Sequence, residues 1–220
     1  LEFRRVLFRS CPTPIGNLED ITLRTLKVLE EVDLVAAEDT RRTLKLLNRY
    51  NIKKPLTSYH EHNKKTKGQI LVEKLKEGAK IALVTDAGMP GISDPGEDII
   101  KLCIEENIDM IALPGATAFT LALVLSGLKT DKFVFEGFLP SKNRDRIKEL
   151  ERLKGEERTI ILYEAPHRME ALLQDILTIL GNRNISISRE LTKIHEETFR
   201  GTVSEAIDWF KDTGPKGDFV

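Results

Sequence analysis

The segment from Ile81 to Ile100 carries Gly88, Gly91 and Gly96, Pro90 and Pro95, and the carboxylates Asp86, Asp94, Glu97 and Asp98, with no lysine or arginine. A phosphate cradle offers backbone N–H groups and usually a basic side chain. This loop has the opposite sign and suits a ligand with a cationic reacting end, held by backbone that glycine lets come close. The plainer reading is a Gly/Pro turn from strand to helix with Asp94 as N-cap. Pro12 to Ile21 (PTPIGNLEDI) joins a stiff Pro-x-Pro entry to a glycine and a helix start. Pro114 to Ala118 (PGATA) places Gly115 for a tight approach, small Ala116 and Ala118 beside a flat ligand, and the Thr117 hydroxyl; it reads equally as a helix start.

A second theme is charge. The total is balanced, 34 Lys+Arg against 35 Asp+Glu, yet from Arg41 to Lys67 nine residues are basic (Arg41, Arg42, Lys45, Arg49, Lys53, Lys54, Lys64, Lys65 and Lys67) and only Glu61 is acidic. That is the footprint of an anionic polymer or, more plainly, a solvated helix face. Tyr50 and Tyr59 are candidates for stacking on unpaired bases. His60 and His62 alternate around Glu61, so a strand would show both on one face; a metal would need a third ligand that the spacing does not supply. His167, in APHRM, is placed to bond within its loop or to touch substrate. Lys142 to Arg158, with seven basic and five acidic residues, reads as an exposed helix.

The elements that position these groups alternate. Helical spacing marks Ile21–Val32, Thr40–Tyr50, Gly68–Glu77, Asp98–Glu106, Ala116–Leu125 and Met169–Leu180; short apolar runs mark strands at Leu34–Ala37, Ile81–Thr85, Met110–Leu113, Phe133–Phe135, Ile160–Tyr163 and Ile185–Ser188. This is an α/β pattern with a mostly parallel sheet. AEDTRR (Ala37–Arg42), TDAGMPGISDPG (Thr85–Gly96), PGATA, YEAPHR (Tyr163–Arg168) and RELTK (Arg189–Lys193) each begin where a strand ends, the edge at which open α/β sheets bind ligands. Five such loops predict one large site at a domain junction, with the boundary near Leu113–Pro114 and domains over 11–113 and 114–220. The opening ten residues, LEFRRVLFRS, are expected to be a non-native scar or an altered first strand, and KGDFV (Lys216–Val220) reads as the start of a strand. Cys11 and Cys103 form no CxxC, and the longest apolar run is too short for a membrane helix. A soluble, cytoplasmic protein without a metal is expected. GxSxG, HExxH, Walker A and complete GxGxxG are absent from the sequence.

Taken in order, PTPIGNLEDITLRTLKVLEEVDLVAAEDTRRT, ALVTDAGMPGISDPG, LPGATAFTLALVLSGL, FVFEGFLP, YEAPHR, SRELTKIHEETFRGT and KGDFV resemble the ribosomal-RNA-modifying members of the tetrapyrrole methylase superfamily, over Cys11 to Val220. The resemblance implies two α/β domains with the cofactor cleft between them, and a homodimer. It implies S-adenosylmethionine as methyl donor and the 2′-hydroxyl of a cytidine in the decoding region of 16S rRNA as acceptor. Carried over by position, it implies that Pro14, the loop of Ala87, Gly88, Met89 and Ile92, the pair Thr117 and Ala118, and the backbone of Glu164 and Leu191 meet the cofactor. Asp86 is added because a carboxylate near a sulfonium is electrostatically favourable.

A ribose hydroxyl is a poor nucleophile while protonated, so a base is expected. Glu61, His60 and Asp39 are the leading candidates, with Asp86 and Glu190 behind them. Arg41, Arg42, Lys64, Lys65, Lys142 and Arg144 are expected on RNA phosphates. The alternatives are a C-methyltransferase acting on a tetrapyrrole, against which the basic stretch argues, and a catalytically silent RNA-binding module, which would not need the Gly/Pro loops.

Overall fold

The computed structural model describes residues 6–214 and 216–220. Residues 1–5, half of the atypical opening segment, lie outside the described residues. The chain divides into two compact units, Leu1–Thr117 and Ala118–Val220, four residues beyond the boundary expected from sequence.

In the first unit five strands, β1 (Phe8–Ser10), β2 (Leu34–Ala37), β3 (Leu56–Ser58), β4 (Ile81–Val84) and β5 (Met110–Ala112), form a parallel sheet of order β3-β2-β4-β1-β5. Helices α1 (Leu23–Glu31) and α2 (Thr40–Arg49) lead the chain towards β3, whereas α3 (Lys64–Lys76) and α4 (Glu97–Glu105) lead it back past β1. Because such crossovers are right-handed, the two directions put helices on opposite faces. Two cores result. Val28, Leu29 and Leu47 pack on one face with Val35, Ala82 and Val84, while Leu71, Leu75, Ile99 and Cys103 pack on the other with Phe8, Ile81 and Leu83. Burial on both faces explains why β2 and β4 read as unbroken apolar runs. Thr22 caps α1 by accepting the Thr25 N–H at 3.0 Å, and Asp39 caps α2 by accepting the Arg41 N–H at 2.8 Å.

Four expectations change here. α3 starts at Lys64, a turn before the first apolar position of its pattern. β3 was not expected from sequence. His60 and His62 lie in the turn beyond β3 rather than on one strand face, with ring centroids 6.0 Å apart. α4 is preceded by Gly96, so Asp94 is not its cap. Within the opening segment Phe8–Ser10 does form a strand, between β4 and β5, and it carries a polar side chain into the interior. Arg9 is 7% exposed and its Nη1 has no hydrogen-bond partner among the described residues.

The second unit contains α5 (Ala118–Ser126), β6 (Phe133–Phe138), α6 (Asn143–Arg152), β7 (Thr159–Tyr163), α7 (Met169–Ile179), β8 (Asn184–Arg189), β9 (Glu197–Thr202) and α8 (Val203–Thr213). β6 and β7 pair in parallel, but β8 and β9 form an antiparallel pair, so the expectation of a mostly parallel sheet fails in this unit. β9 and α8 also went unrecognised in the sequence, although Thr202 and Glu205 make a full capping box whose T-x-x-E spacing was readable. Leu150, Leu173, Ile176, Ile187, Val203, Ile207 and Phe210 form the core.

Candidate functional site

The connections leaving β1 and β4, neighbours in the sheet, run to opposite faces, which opens a crevice at their carboxyl ends. The loops Cys11–Asn17 and Thr85–Gly96 line it. Thr13 and Gly88 join them as an antiparallel bridge: the Thr13 N–H donates to the Gly88 carbonyl at 2.9 Å and the Gly88 N–H to the Thr13 carbonyl at 3.0 Å. The Thr13 hydroxyl donates to the Thr85 carbonyl at 3.0 Å. Gly88 has φ +85°, and a Cβ there would stand 3.3 Å from Ile15 Cγ2 and 3.5 Å from the Ala116 carbonyl. A third loop enters through Gly115, where a Cβ would fall 2.2 Å from Pro12 Cγ. Pro14, Ala87, Gly88, Met89, Ile92 and Thr117 therefore belong to loops of one sheet edge. Both Gly88 backbone groups are already used by Thr13, so the groups a ligand can meet belong to its neighbours.

This edge is acidic. The Thr85 hydroxyl and the Asp86 N–H both donate to Glu38 Oε2, at 2.7 and 3.3 Å. The Asp39 N–H donates to Asp86 Oδ1 at 3.0 Å, and Arg42 pairs with Asp86 at 3.3 Å. Burial and the Glu38 carboxylate raise Asp86 above the usual carboxylate range. Burial, then Glu38 and Asp86, push Asp94 up to about 7 despite a hydrogen bond with Thr85. Glu38, Thr13 and Thr85 were not among the residues singled out for a role, and Asp94 was read only as a loop carboxylate or helix cap; the signal available was Glu38 inside AEDTRR, one position beyond its strand. The arrangement suits a cationic group: carboxylates converge, glycine leaves room, and Arg42, the basic side chain paired there, is matched by Asp86.

The three leading base candidates differ. Asp39 is bound by Arg41 through its backbone N–H and its guanidinium, at 2.8 to 3.1 Å, which holds its carboxyl down to about 2. Glu61 is exposed and pairs with Lys64 at 2.8 Å. His60 is half-buried; its backbone N–H donates to Asn63 Oδ1 at 2.9 Å, and its Nδ1 is buried with no partner among the described residues. In the second unit, Glu164 is 3% exposed, its N–H donates to the Phe219 carbonyl at 3.2 Å and its carboxylate pairs with Arg168 at 3.2 Å. Leu191 is buried between Glu190 and Thr192, both at positive φ (53° and 67°). Glu190 itself accepts from Lys193 and from the Asp218 N–H. His167 lies in a short 3-10 turn, Pro166–Arg168.

Of the basic residues, Arg41, Arg42, Lys65, Lys142 and Arg144 are exposed, and Lys45 and Arg49 extend the Arg41 face of α2 at helical spacing. Lys64 is bound by Glu61 and Asp98, both at 2.8 Å, which raises its pKa. Stacking by Tyr59 is ruled out because the residue is 0% exposed in the core under α3. Tyr50 donates its hydroxyl to the Leu18 carbonyl and packs its ring on the other core. Among the described residues no three His, Cys, Asp or Glu side chains gather to hold a metal, and no helix is long and apolar enough to cross a membrane.

A parallel sheet with a glycine-lined crevice at its carboxyl edge, followed by a second α/β unit, narrows the class. The profile of the Tetrapyrrole (Corrin/Porphyrin) Methylases matches residues 12–207, and the chain belongs to that family. It is 56% identical over 208 residues to the ribosomal RNA small subunit methyltransferase I of Synechocystis, covering 94% of this chain and 75% of that protein. To the proteins of the same name from Thermotoga maritima and Bacillus subtilis it is 54% and 50% identical over 94% of this chain, covering 93% and 71% of theirs. In fold it is similar to a cobalt precorrin-4 methyltransferase (TM-score 0.70, 16% identity, 98% of this chain and 93% of that one). It is also similar to the Thermus thermophilus uroporphyrin-III C-methyltransferase solved with S-adenosyl homocysteine (TM-score 0.65, 14% identity, 96% and 94%).

Proposed function

We propose that the protein transfers a methyl group from S-adenosylmethionine to the RNA of the small ribosomal subunit, with the 2′-hydroxyl of a cytidine in the decoding region of 16S rRNA as acceptor. The observation that carries this reading is the 50–56% identity, over 94% of the chain, to proteins named for methylating that RNA. A cytoplasmic setting and a homodimer belong to the same proposal.

S-adenosylmethionine, when bound, supplies an electrophilic methyl on a sulfonium. The crevice of the first unit fits such a cation through Glu38, Asp86 and Asp94 and through the space that Gly88 keeps open. Pro14, Asp86, Ala87, Gly88, Met89, Ile92 and Thr117 are the contacts we assign to it there, with Ala118, Glu164 and Leu191 in the second unit. The protein's main task is alignment of acceptor and methyl. Removal of the hydroxyl proton falls to His60 or Asp94, since Asp39 is held too acidic and Glu61 is occupied by Lys64. Arg41, Arg42, Lys45, Arg49, Lys65, Lys142 and Arg144 are assigned to phosphates.

The test is transfer of labelled methyl to undermethylated small subunits followed by alkaline digestion. A 2′-O-methyl group removes the nucleophile for strand cleavage, so the expected product is label in an alkali-stable dinucleotide. Cofactor binding with no transfer to RNA, but with transfer to a porphyrin precursor, would put the tetrapyrrole reading in its place. RNA binding without cofactor binding would leave only a silent binding module.

A further inference from the structure

β6 holds one residue more than its partner. Phe135 pairs with Ile161 and Gly137 with Leu162, so Glu136 is an extra residue, and Gly137 takes φ +61°. Successive side chains of a regular strand face opposite sides, which would part Phe135 from Phe138. The bulge returns the two to one face, as bulges do where a side chain is re-aimed. Both rings then meet Tyr163 edge-on, with centroids 5.0 and 5.5 Å away, and Phe119 of α5 stacks on Phe135 at 4.6 Å. The Phe119 N–H donates to the Tyr163 hydroxyl at 3.1 Å and fixes this aromatic column. Phe138 is its open end, 53% exposed.

The chain after Phe138 is held from beneath. Leu139 is buried in the core of this unit, and Arg168, itself paired with the buried Glu164, donates to the Leu139 and Pro140 carbonyls at 2.7 and 3.1 Å. Lys142, at the start of α6, is at most about 14 Å from Phe138 along the chain. Arg144 follows in the first turn of α6, a helix that Arg146 fastens to Asp175 of α7 at 2.6 Å. Lys142 and Arg144 are exposed and have no ion-pair partner among the described residues, and the segment from Leu139 to Arg144 contains no carboxylate. The centre of a protein interface is depleted of charge around its aromatic rings. A rigid exposed ring followed by free cations is instead the combination that grips a single strand, by stacking on a base and pairing with phosphates.

We propose that Phe138 is a stacking platform for one unpaired base of the substrate RNA, with Lys142 and Arg144 on the phosphates beside it. The proposal rests on the RNA-methylation reading above and adds to it a contact with a base face, for which Tyr59 is too deeply buried. Stacking is indifferent to base identity, so Phe138 is a positioning residue that holds the strand rather than one that chooses its sequence.

The experiment uses undermethylated small subunits for methyl transfer and, for binding, a single-stranded oligonucleotide of the decoding region carrying 2-aminopurine at successive positions. Phe138→Leu, which keeps an apolar side chain without a ring face, is expected to bind the oligonucleotide about tenfold more weakly at every salt concentration, with the slope of log K against log salt unchanged. Its KM for methyl transfer rises while kcat changes little, and Phe138→Tyr restores both affinity and KM. Lys142→Ala instead lowers the salt slope by about 0.7. Stacking quenches 2-aminopurine at one position in the wild-type and Phe138→Tyr complexes and not in Phe138→Leu. Equal affinity of wild type and Phe138→Leu, with methyl transfer intact, overturns the stacking role and leaves the methylation reading standing; a wild-type chain that binds no RNA overturns both. Absence of a quenched position in the wild-type complex overturns the proposal whatever the variants do. Unchanged RNA affinity in a Phe138→Leu chain that loses self-association also overturns it and assigns the ring to a contact between two copies.

Discussion

Thr13 and Gly88 exchange both of their backbone hydrogen bonds, at 2.9 and 3.0 Å, and so tie the loop after β1 to the loop after β4. Gly88 does this at φ +85°, a conformation that costs a residue with Cβ about 1–2 kcal/mol. Gly88→Ala is expected to fold with that loss and to bind S-adenosylmethionine more weakly, because its Cβ presses on Ile15. Gly88→Arg fills the crevice and abolishes methyl transfer with little change in RNA affinity. Calorimetric titration of the cofactor and filter binding of RNA check the two halves separately; undiminished turnover in Gly88→Arg would remove the crevice as the cofactor site.

Asp94 makes stability depend on pH. Its carboxyl sits at about 7 in the folded chain and near 3.8 otherwise, so between those values the folded state holds a proton that the unfolded state has lost. Stability contributed by this group therefore falls as pH rises from about 4 to about 7, opposite to the usual carboxylate. Asp94→Asn, which cannot ionise against Glu38 and Asp86, is expected to flatten that part of the curve. Urea midpoints of the two chains at pH 5 and pH 8 test this; parallel curves would show that Asp94 is not the group responsible.

The legible parts of the molecule are those where one physical cause dominates. β2 and β4 read correctly because strands buried on both faces must be apolar throughout, and Gly88 stood out because only glycine takes its conformation without strain. β3 was invisible because Leu56–Ser58 is three half-buried residues with no alternation to detect. Tyr59 read as a stacking residue amid basic neighbours, yet the strand end that carries it points into the core. Asp94 read as a cap because SDPG is a turn sequence; its neighbours Glu38 and Asp86 come from another strand end and from across the loop, and only the sheet order brings Glu38 near. The pairing of Lys64 with Asp98, 34 positions on, was hidden for the same reason.

That pairing divides the basic stretch. Lys64 already balances two carboxylates, whereas Lys65 and Lys45 are exposed and have no ion-pair partner among the described residues. Lys45→Ala and Lys65→Ala are each expected to weaken binding to small-subunit RNA and to lower the slope of log K against log salt by about 0.7. Lys64→Ala should leave that slope nearly unchanged. Binding isotherms at four salt concentrations decide it, and an equal fall for all three variants would mean that RNA displaces Glu61 and Asp98 from Lys64.

Arg9 offers a gain in stability. It stands in β1, between β4 and β5, where Cys11, two residues on, lies in the core of Val28, Leu29 and Val35. Its Nη1 is buried without a hydrogen-bond partner among the described residues. A buried donor left unpaired costs about 1–3 kcal/mol, and an aliphatic side chain of similar reach removes the cost while keeping the packing. Arg9→Leu and Arg9→Met are therefore expected to raise the unfolding free energy by about that amount, or the midpoint temperature by roughly 2–4 °C for each kcal/mol in a chain of this size. Neither substitution touches the carboxyl edge of the sheet, so cofactor affinity should stay constant while stability rises. Differential scanning calorimetry with a parallel cofactor titration measures both, and a lower midpoint in both variants would mean that the guanidinium has a partner that its burial conceals.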